Sequence, residues 1–175
     1  MDLTAVDFSA PYLSRVRDFE CGEEPWAVMA ANWIKQAPPF DGALKSMAKH
    51  GNCVWLHFLE TPGTAEQHLV GFSSLGVTRW SIPPPDGPKR TVGFIPMLAI
   101  ASAFQGKRIG ETAVRYSDAM VQHVVDKARE RAYRELCLFV DANNAKATSL
   151  YTRCGFVVLG GRDHRNLLRM LKRLD

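Results

Sequence analysis

The chain has 175 residues, 46% hydrophobic and 23% charged, with 22 Lys and Arg against 18 Asp and Glu for a formal charge of +4. That length suits one domain, residues 1–175, burying roughly 70% of its extended surface; no apolar run approaches the roughly 20 residues of a membrane span, and Met1-Asp2-Leu3-Thr4 opens no signal pattern, so the cytoplasm is expected. The mild basic tilt suits a polyanionic ligand without choosing between a nucleotide cofactor and nucleic acid.

In chain order, Glu23–Gln36 carries Trp26, Met29, Ala30, Trp33 and Ile34 at intervals of three and four, which predicts a helix stopped by Ala37-Pro38-Pro39. A shorter helix follows over Gly42–His50, with Leu44, Met47 and Ala48 inward and Gly51-Asn52 as its stop. Cys53–Leu59 is β-rich, Thr61-Pro62-Gly63-Thr64 reads as a turn, and Leu69–Trp80 returns as the second strand of an antiparallel hairpin. The prolines within Ser81–Pro88 lack the N–H a ladder needs, which makes this stretch an exposed loop. Phe94–Ala101 is apolar on both faces through Met97-Leu98-Ala99-Ile100, as a central strand is.

Gln105-Gly106-Lys107-Arg108-Ile109-Gly110 is a glycine-bearing basic turn that opens into a long amphipathic helix, predicted to begin near Glu111. Glycines let a ligand approach the main chain, and a helix's first turn leaves about four N–H groups without internal partners. The stretch therefore reads as a cradle for a diphosphate. Val114, Val121, Val124, Val125, Ala128 and Ala132 mark the buried face of that helix, and Leu136–Val140 a buried strand. Phe94–Val140 is then a strand, a helix and a strand joined by a parallel crossover. Asn144 caps the next helix, which carries Tyr151 and ends at Gly155, and Phe156–Leu159 and Asn166–Lys172 supply the last strands.

Cys21, Cys53, Cys137 and Cys154 have no paired spacing and read as reduced packing residues. Cys53 and His57 would share a strand face, but two potential ligands do not close a tetrahedral site, and no metal is expected. The basic turn is neither a Walker A loop nor a Gly-x-Gly-x-x-Gly turn.

Gln105, Arg108 and Gly110, followed by Val140-x-x-x-Asn144-x-x-Ala147-x-x-Leu150-Tyr151-x-x-x-Gly155-Phe156, resemble the two signature segments of the GNAT superfamily of N-acetyltransferases, over Phe94–Leu159. The resemblance implies an α/β (α+β) fold with a mixed central sheet of about six to seven strands flanked by about four helices. It implies acetyl-CoA as cofactor, with Leu98, Ala99 and Ile100 binding the pantetheine arm like an added strand. By the same implication Gln105, Gly106, Lys107, Arg108, Ile109, Gly110 and Glu111 surround the pyrophosphate, Asn144 contacts the cofactor, and Tyr151 protonates the leaving thiolate.

A phenol of pKa about 10 can donate as charge develops on sulfur; the competing reading is a tyrosine that merely packs beside Leu150. Many relatives place a glutamate on the central strand as base, but Met97–Ile100 has none. Asp163 and His164 are the remaining candidates, against a reading as turn formers. An α-amine, of pKa about 7.7, needs less help than a lysine near 10.4, so the missing base favours α-amino acceptors or a water relay. The expected reaction is acetyl transfer from acetyl-CoA to a primary amine, a small molecule or peptide, by direct attack.

Phe19-Glu20-Cys21-Gly22 resembles the Phe-Asp-Cys-Gly opening of one branch of the superfamily, some of whose members are toxins that acetylate aminoacyl-tRNA; here Trp26-Ala27-Val28-Met29-Ala30 replaces that branch's Leu-Asp-x-Phe-Leu helix. The alternative partner is therefore tRNA, with Arg129, Arg131, Arg134, Lys146, Arg153, Arg162, Arg165, Arg169, Lys172 and Arg173 as its candidate surface. A catalytically silent coenzyme A sensor is a third reading. The aromatic first helix and the final strand are candidate contacts for a homodimer.

Overall fold

The computed structural model describes residues 3–38, 42–60, 66–82 and 86–175. The expected turn Thr61-Pro62-Gly63-Thr64, Pro39 of the first helix stop, and Pro83, Pro84 and Pro85 of the proline loop lie outside the described residues.

The strands are β1 (Leu3–Asp7), β2 (Cys53–Glu60), β3 (Gln67–Ser81), β4 (Lys89–Phe94), β5 (Leu98–Ile100), β6 (Glu135–Asp141), β7 (Val157–Val158) and β8 (Leu167–Arg173). The helices are α1 (Leu13–Val16), α2 (Pro25–Ile34), α3 (Ala43–His50), α4 (Tyr116–Glu130) and α5 (Ala145–Arg153). Strands hydrogen-bond in the order β1-β2-β3-β4-β6-β8-β7, with β5 also on β3, in a mixed sheet that is mostly antiparallel. The chain divides into two compact units, Met1–Ser74 with Met97–Met120 and Leu75–Pro96 with Val121–Asp175, so β3 and α4 each run from one into the other.

In the first unit β1 pairs with β2 from Leu3↔Leu59 to Asp7↔Trp55. Val54, Leu56 and Phe58 of β2 enter a core with Ala27, Ala30, Ala31, Trp33 and Ile34 of α2. Phe72 of β3 packs against Phe19 and Trp33, ring centroids 5.4 and 5.7 Å away. Burial of such apolar area, at roughly 25 cal/mol per Å², holds α2 on the sheet. Pro25 starts α2 in the first turn, where its missing N–H leaves no bond unmade. Gln36 ends it: at φ +60 its Nε2 donates to the carbonyls of Trp33 (3.1 Å) and Ile34 (3.0 Å).

The buried stripe of α2 runs through Ala27, Ala30, Ala31 and Ile34, so Met29, expected inside, lies outside it. Three- and four-residue spacing fits either flank of a helix, and the alanines let α2 come close to β5. In α3 it is Ala43 that is buried, Ala48 being exposed, and Gly51 closes the helix in the left-handed region at φ +64.

In the second unit β3 continues against β4 from Gly76↔Phe94 to Ser81↔Lys89, β4 runs parallel to β6 at Gly93↔Leu136 and Phe94↔Cys137, and β8 lies antiparallel between β6 and β7. The expected strand Phe94–Ala101 is not one element. Pro96 has no N–H to offer a ladder, so β4 ends at Phe94 and β5 begins at Leu98. The parallel partner of β6 is accordingly β4. Along α4, Val121, Val124, Val125 and Ala128 are buried as expected; Val114 is exposed before the helix, and Ala132 lies beyond its end at φ +57.

Candidate active site

β5 turns part of its main chain away from the sheet. It pairs with β3 at Gly71↔Ile100, Phe72↔Ala99 and Ser73↔Leu98, and the next bond, Ala101 N–H to Val70 O at 2.8 Å, fixes the phase of the ladder. Bonded and non-bonded pairs alternate in an antiparallel ladder. Ala99 therefore exchanges its bonds with Phe72, while Leu98 and Ile100 turn their N–H and C=O groups to the opposite edge. Ser74 ends this ladder. Its Oγ accepts from Met97 N–H (2.8 Å) and donates to Met97 O (2.6 Å), in place of a main-chain pair. Of the three residues expected to receive an added strand, Leu98 turns both main-chain groups outward and Ile100 its N–H, Ile100 O being taken by Gln105 Nε2 at 3.1 Å, while Ala99 faces β3.

Beyond β5 the basic turn is exposed, with Gly106 at φ +72 and Gly110 at φ +53 and no atom within 4 Å of where a Cβ would stand on either. The long helix does not begin near Glu111; α4 starts at Tyr116. The intervening residues fold back on themselves: Ile109 N–H bonds Val114 O at 2.9 Å, Thr112 Oγ1 donates to Ile109 O at 2.7 Å, and Arg108 lies opposite Arg115 in a two-residue bridge. A short hydroxyl side chain competing for main-chain groups is a known rival to helix. Lys107 N–H goes to Phe104 O (3.2 Å) and Gln105 N–H to Ser102 O (3.4 Å). Among the described residues no main-chain bond takes the amides of Gly106, Arg108, Gly110 or Glu111. The Gln105 side chain points elsewhere, to the carbonyls of Cys21 and Ile100.

In the second unit Asn144 caps α5 as expected, its Oδ1 accepting from Ala147 N–H at 3.0 Å. Tyr151 is 7% exposed and meets Phe156 edge-on with centroids 5.6 Å apart. The last turn is closed by Gly155 at φ +85 and by Lys172, whose Nζ donates to Cys154 O at 2.9 Å, a cation at a helix C-terminus. Among the described residues no protein group hydrogen-bonds the Tyr151 hydroxyl. Burial pushes this phenol up, with the Cys154 thiol adding to the effect, so the proton stays on Oη across the ordinary pH range.

Asp163 is a turn former. Its Oδ1 accepts from Arg165 N–H (2.8 Å) and Leu167 N–H (2.9 Å), and the Arg165 guanidinium reaches Oδ2 at 3.4 Å. These bonds, that of Leu167 first, hold its carboxyl below the usual carboxylate range, the wrong direction for a base working near neutrality. His164 is exposed in the same turn. His57 is a core histidine with Nε2 2.7 Å from Ser73 Oγ, and no group of three or more His, Cys, Asp or Glu among the described residues could hold a metal. None of the four cysteines is in a disulfide; burial pushes Cys21 up to about 11 and raises Cys137 too. Sequence reasoning missed Ser74, although a Ser73-Ser74 pair inside an apolar strand is itself a signal, because buried hydroxyls need partners.

The sequence profile of the Acetyltransferase (GNAT) family matches residues 26–156, a span holding both candidate segments. The chain belongs to the GNAT family. Its enzyme class is therefore N-acetyltransferase, and the family uses acetyl-CoA. Among curated proteins none matches this chain. The GNAT fold recurs in solved structures at low identity. AtaTR bound with AcCoA covers 96% of this chain and 92% of its own at 20% identity and a TM-score of 0.65. A chimera of spermidine N-acetyltransferase SpeG from Vibrio cholerae and hSSAT covers 99% and 96% at 16% and 0.65. The NatC complex bound to Gag peptide and CoA covers 100% of each at 16% and 0.60. These likenesses are of fold. No helix of the described GNAT chain is long and apolar enough to cross a membrane.

Proposed function

We propose that this GNAT chain, residues 1–175 acting as one catalytic domain, transfers an acetyl group from acetyl-CoA to a primary amine. The outward edge of β5 carries the reading, because a strand with main-chain groups turned away from its sheet suits the amide-bearing pantetheine arm. The cofactor, when bound, supplies the acetyl group as a thioester. Leu98 and Ile100 would hold the arm. The amides of Gly106, Arg108, Gly110 and Glu111, with the side chains of Lys107 and Arg108, would take the diphosphate. Asn144 keeps Nδ2 as a donor while Oδ1 serves the cap. Tyr151 holds its proton at Oη and donates it to the leaving sulfur, while the proton the attacking nitrogen sheds on forming the amide passes through water back to the phenolate; since burial raises the phenol, transfer completes only as negative charge builds on sulfur. Tyr151→Phe is expected to lower kcat about 10²-fold with acetyl-CoA affinity unchanged. Turnover within threefold of wild type would remove the general acid.

Asp163 does not suit the role of base, so the amine is best taken as one that arrives already unprotonated. Near pH 7.5 an α-amine of pKa about 7.7 holds on the order of 10²-fold more free base than a lysine near 10.4. The acceptor class we assign is therefore an α-amine or another weakly basic amine. Initial rates across a panel of α- and ε-amino peptides and small amines should give kcat/KM at least about tenfold higher for the α-amines. Equal values would overturn that assignment.

One observation favours a second reading. Most of the 22 Lys and Arg fall in the unit Leu75–Pro96 with Val121–Asp175, while most of the 18 Asp and Glu fall in the other, a partition suited to a charged tRNA acceptor. Binding of tRNA would then fall by roughly 0.9 powers of salt concentration per phosphate contacted. A KM independent of salt leaves the small amine, and no transfer to any acceptor leaves a coenzyme A sensor.

A further inference from the structure

Gln105 uses both hydrogens of its side-chain amide on main-chain carbonyls that are far apart in sequence. Nε2 donates to Cys21 O at 2.6 Å and to Ile100 O at 3.1 Å. Beside it Ser102 N–H donates to Glu20 O at 2.9 Å, with Ser102 Oγ at 3.4 Å from the same oxygen. Phe19–Gly22 is thereby fastened to the end of β5 just before α2 begins. Cys21 adds its own tie, Sγ to Ala27 O at 3.2 Å, and Phe19 is seated on Phe72. Ile100 O is also one of the outward groups of β5, so the same nitrogen that holds residue 21 covers one end of the edge assigned to the pantetheine arm.

We infer that the Gln105 side chain is a positioning residue, which sets the Phe19–Gly22 segment and the start of α2 against the outward edge of β5. The inference rests on the proposed acetyl transfer for its catalytic consequence, though not for the bracket itself. Gln105 contributes to catalysis through Cys21 and Ile100 rather than by touching the reacting atoms. A glutamate could not replace it, because a carboxylate has no hydrogen to give two carbonyls, whereas an arginine carries several N–H donors and could restore both bonds.

The test compares Gln105→Leu, Gln105→Glu and Gln105→Arg with wild type by amide hydrogen exchange of the whole chain, by acetyl-CoA affinity, and by kcat and KM for the best amine. The bracket predicts faster exchange at residues 19–24 in Gln105→Leu and Gln105→Glu and near wild-type exchange in Gln105→Arg. With activity in hand, the first two variants lose about tenfold in kcat or acceptor KM, as small displacements near a reacting centre do, while acetyl-CoA affinity stays within about threefold. Gln105→Arg recovers most of the loss. Unchanged exchange at residues 19–24 in Gln105→Leu overturns the inference, as does a loss confined to acetyl-CoA affinity, which would make Gln105 a cofactor contact only. If the wild type neither binds acetyl-CoA nor acetylates an amine, the proposed function fails, and the exchange comparison still decides the bracket.

Discussion

Cys21 and Tyr151 give the protein an alkaline limit. Each is buried and ionises to an anion, so each folded pKa stands above its unfolded value. For Cys21 the folded thiol is pushed up to about 11 by burial, against about 8.5 for an ordinary thiol. Between these values the unfolded chain has released the proton and the folded chain retains it. Stability present below about pH 8.5 is therefore lost as pH rises toward 11, by at most about 1.4 kcal/mol per pH unit for one group. Urea unfolding at pH 8 and pH 10.5 should show the fall, and Cys21→Ala should make it shallower, the likewise raised Cys137 thiol supplying the remainder; the same slope with and without the Cys21 thiol would refute the cause. Ser74 offers a sharper test at neutral pH. Ser74→Ala leaves the Met97 N–H and C=O without their partner next to a fully buried site, at about 1–3 kcal/mol for each buried group left unsatisfied. Unfolding free energy should drop by about 2 kcal/mol or more, and acetyl-CoA affinity should fall with it, since this contact fixes where β5 begins.

Elements whose signals are local were readable in the sequence. Gly51 and Gly155 close α3 and α5 in the left-handed region, and Asn144 caps α5, because each device needs only its neighbours. β4 was not readable: Lys89, Arg90 and Thr91 are exposed and polar, and their strand conformation comes from pairing with β3. The start of α4 was misplaced because Thr112 and the Ile109–Val114 bond draw residues 108–115 into their own turn. At the candidate site the residue types of the glycine turn, Asn144 and Tyr151 were legible. Which β5 residues face outward was not, since register is set by a partner strand, and Gln105 finds Cys21 across 84 positions. The cap makes a separable prediction: Asn144→Ala should cost about 1 kcal/mol in thermal unfolding, while Asn144→Asp keeps the cap. If Asn144→Asp retains stability yet loses acetyl-CoA affinity, the Nδ2 donor is the part that meets the cofactor; full affinity in that variant would remove Asn144 from the site.

For the whole molecule, a ligand that binds only the folded chain stabilises all of it, whatever the chemistry at Tyr151 or the acceptor. At about 100 times its Kd, acetyl-CoA should add roughly 2.7 kcal/mol, which for a chain of 175 residues is about 5–10 °C in Tm. Gly106→Ala and Gly110→Ala should lower the melting temperature both with and without acetyl-CoA, because each forces a side chain into the left-handed region at a cost of about 1–2 kcal/mol to the folded chain, and the ligand's own gain should shrink only if the turn leaves that conformation to relieve the strain. The decisive measurement is the melting temperature of the wild-type chain titrated with acetyl-CoA, paired with retention of the ligand through gel filtration. A concentration-dependent rise of several degrees with ligand carried along supports the β5 edge and the glycine turn as the thioester's seat; an unmoved melting temperature and no retained ligand at millimolar acetyl-CoA contradict it.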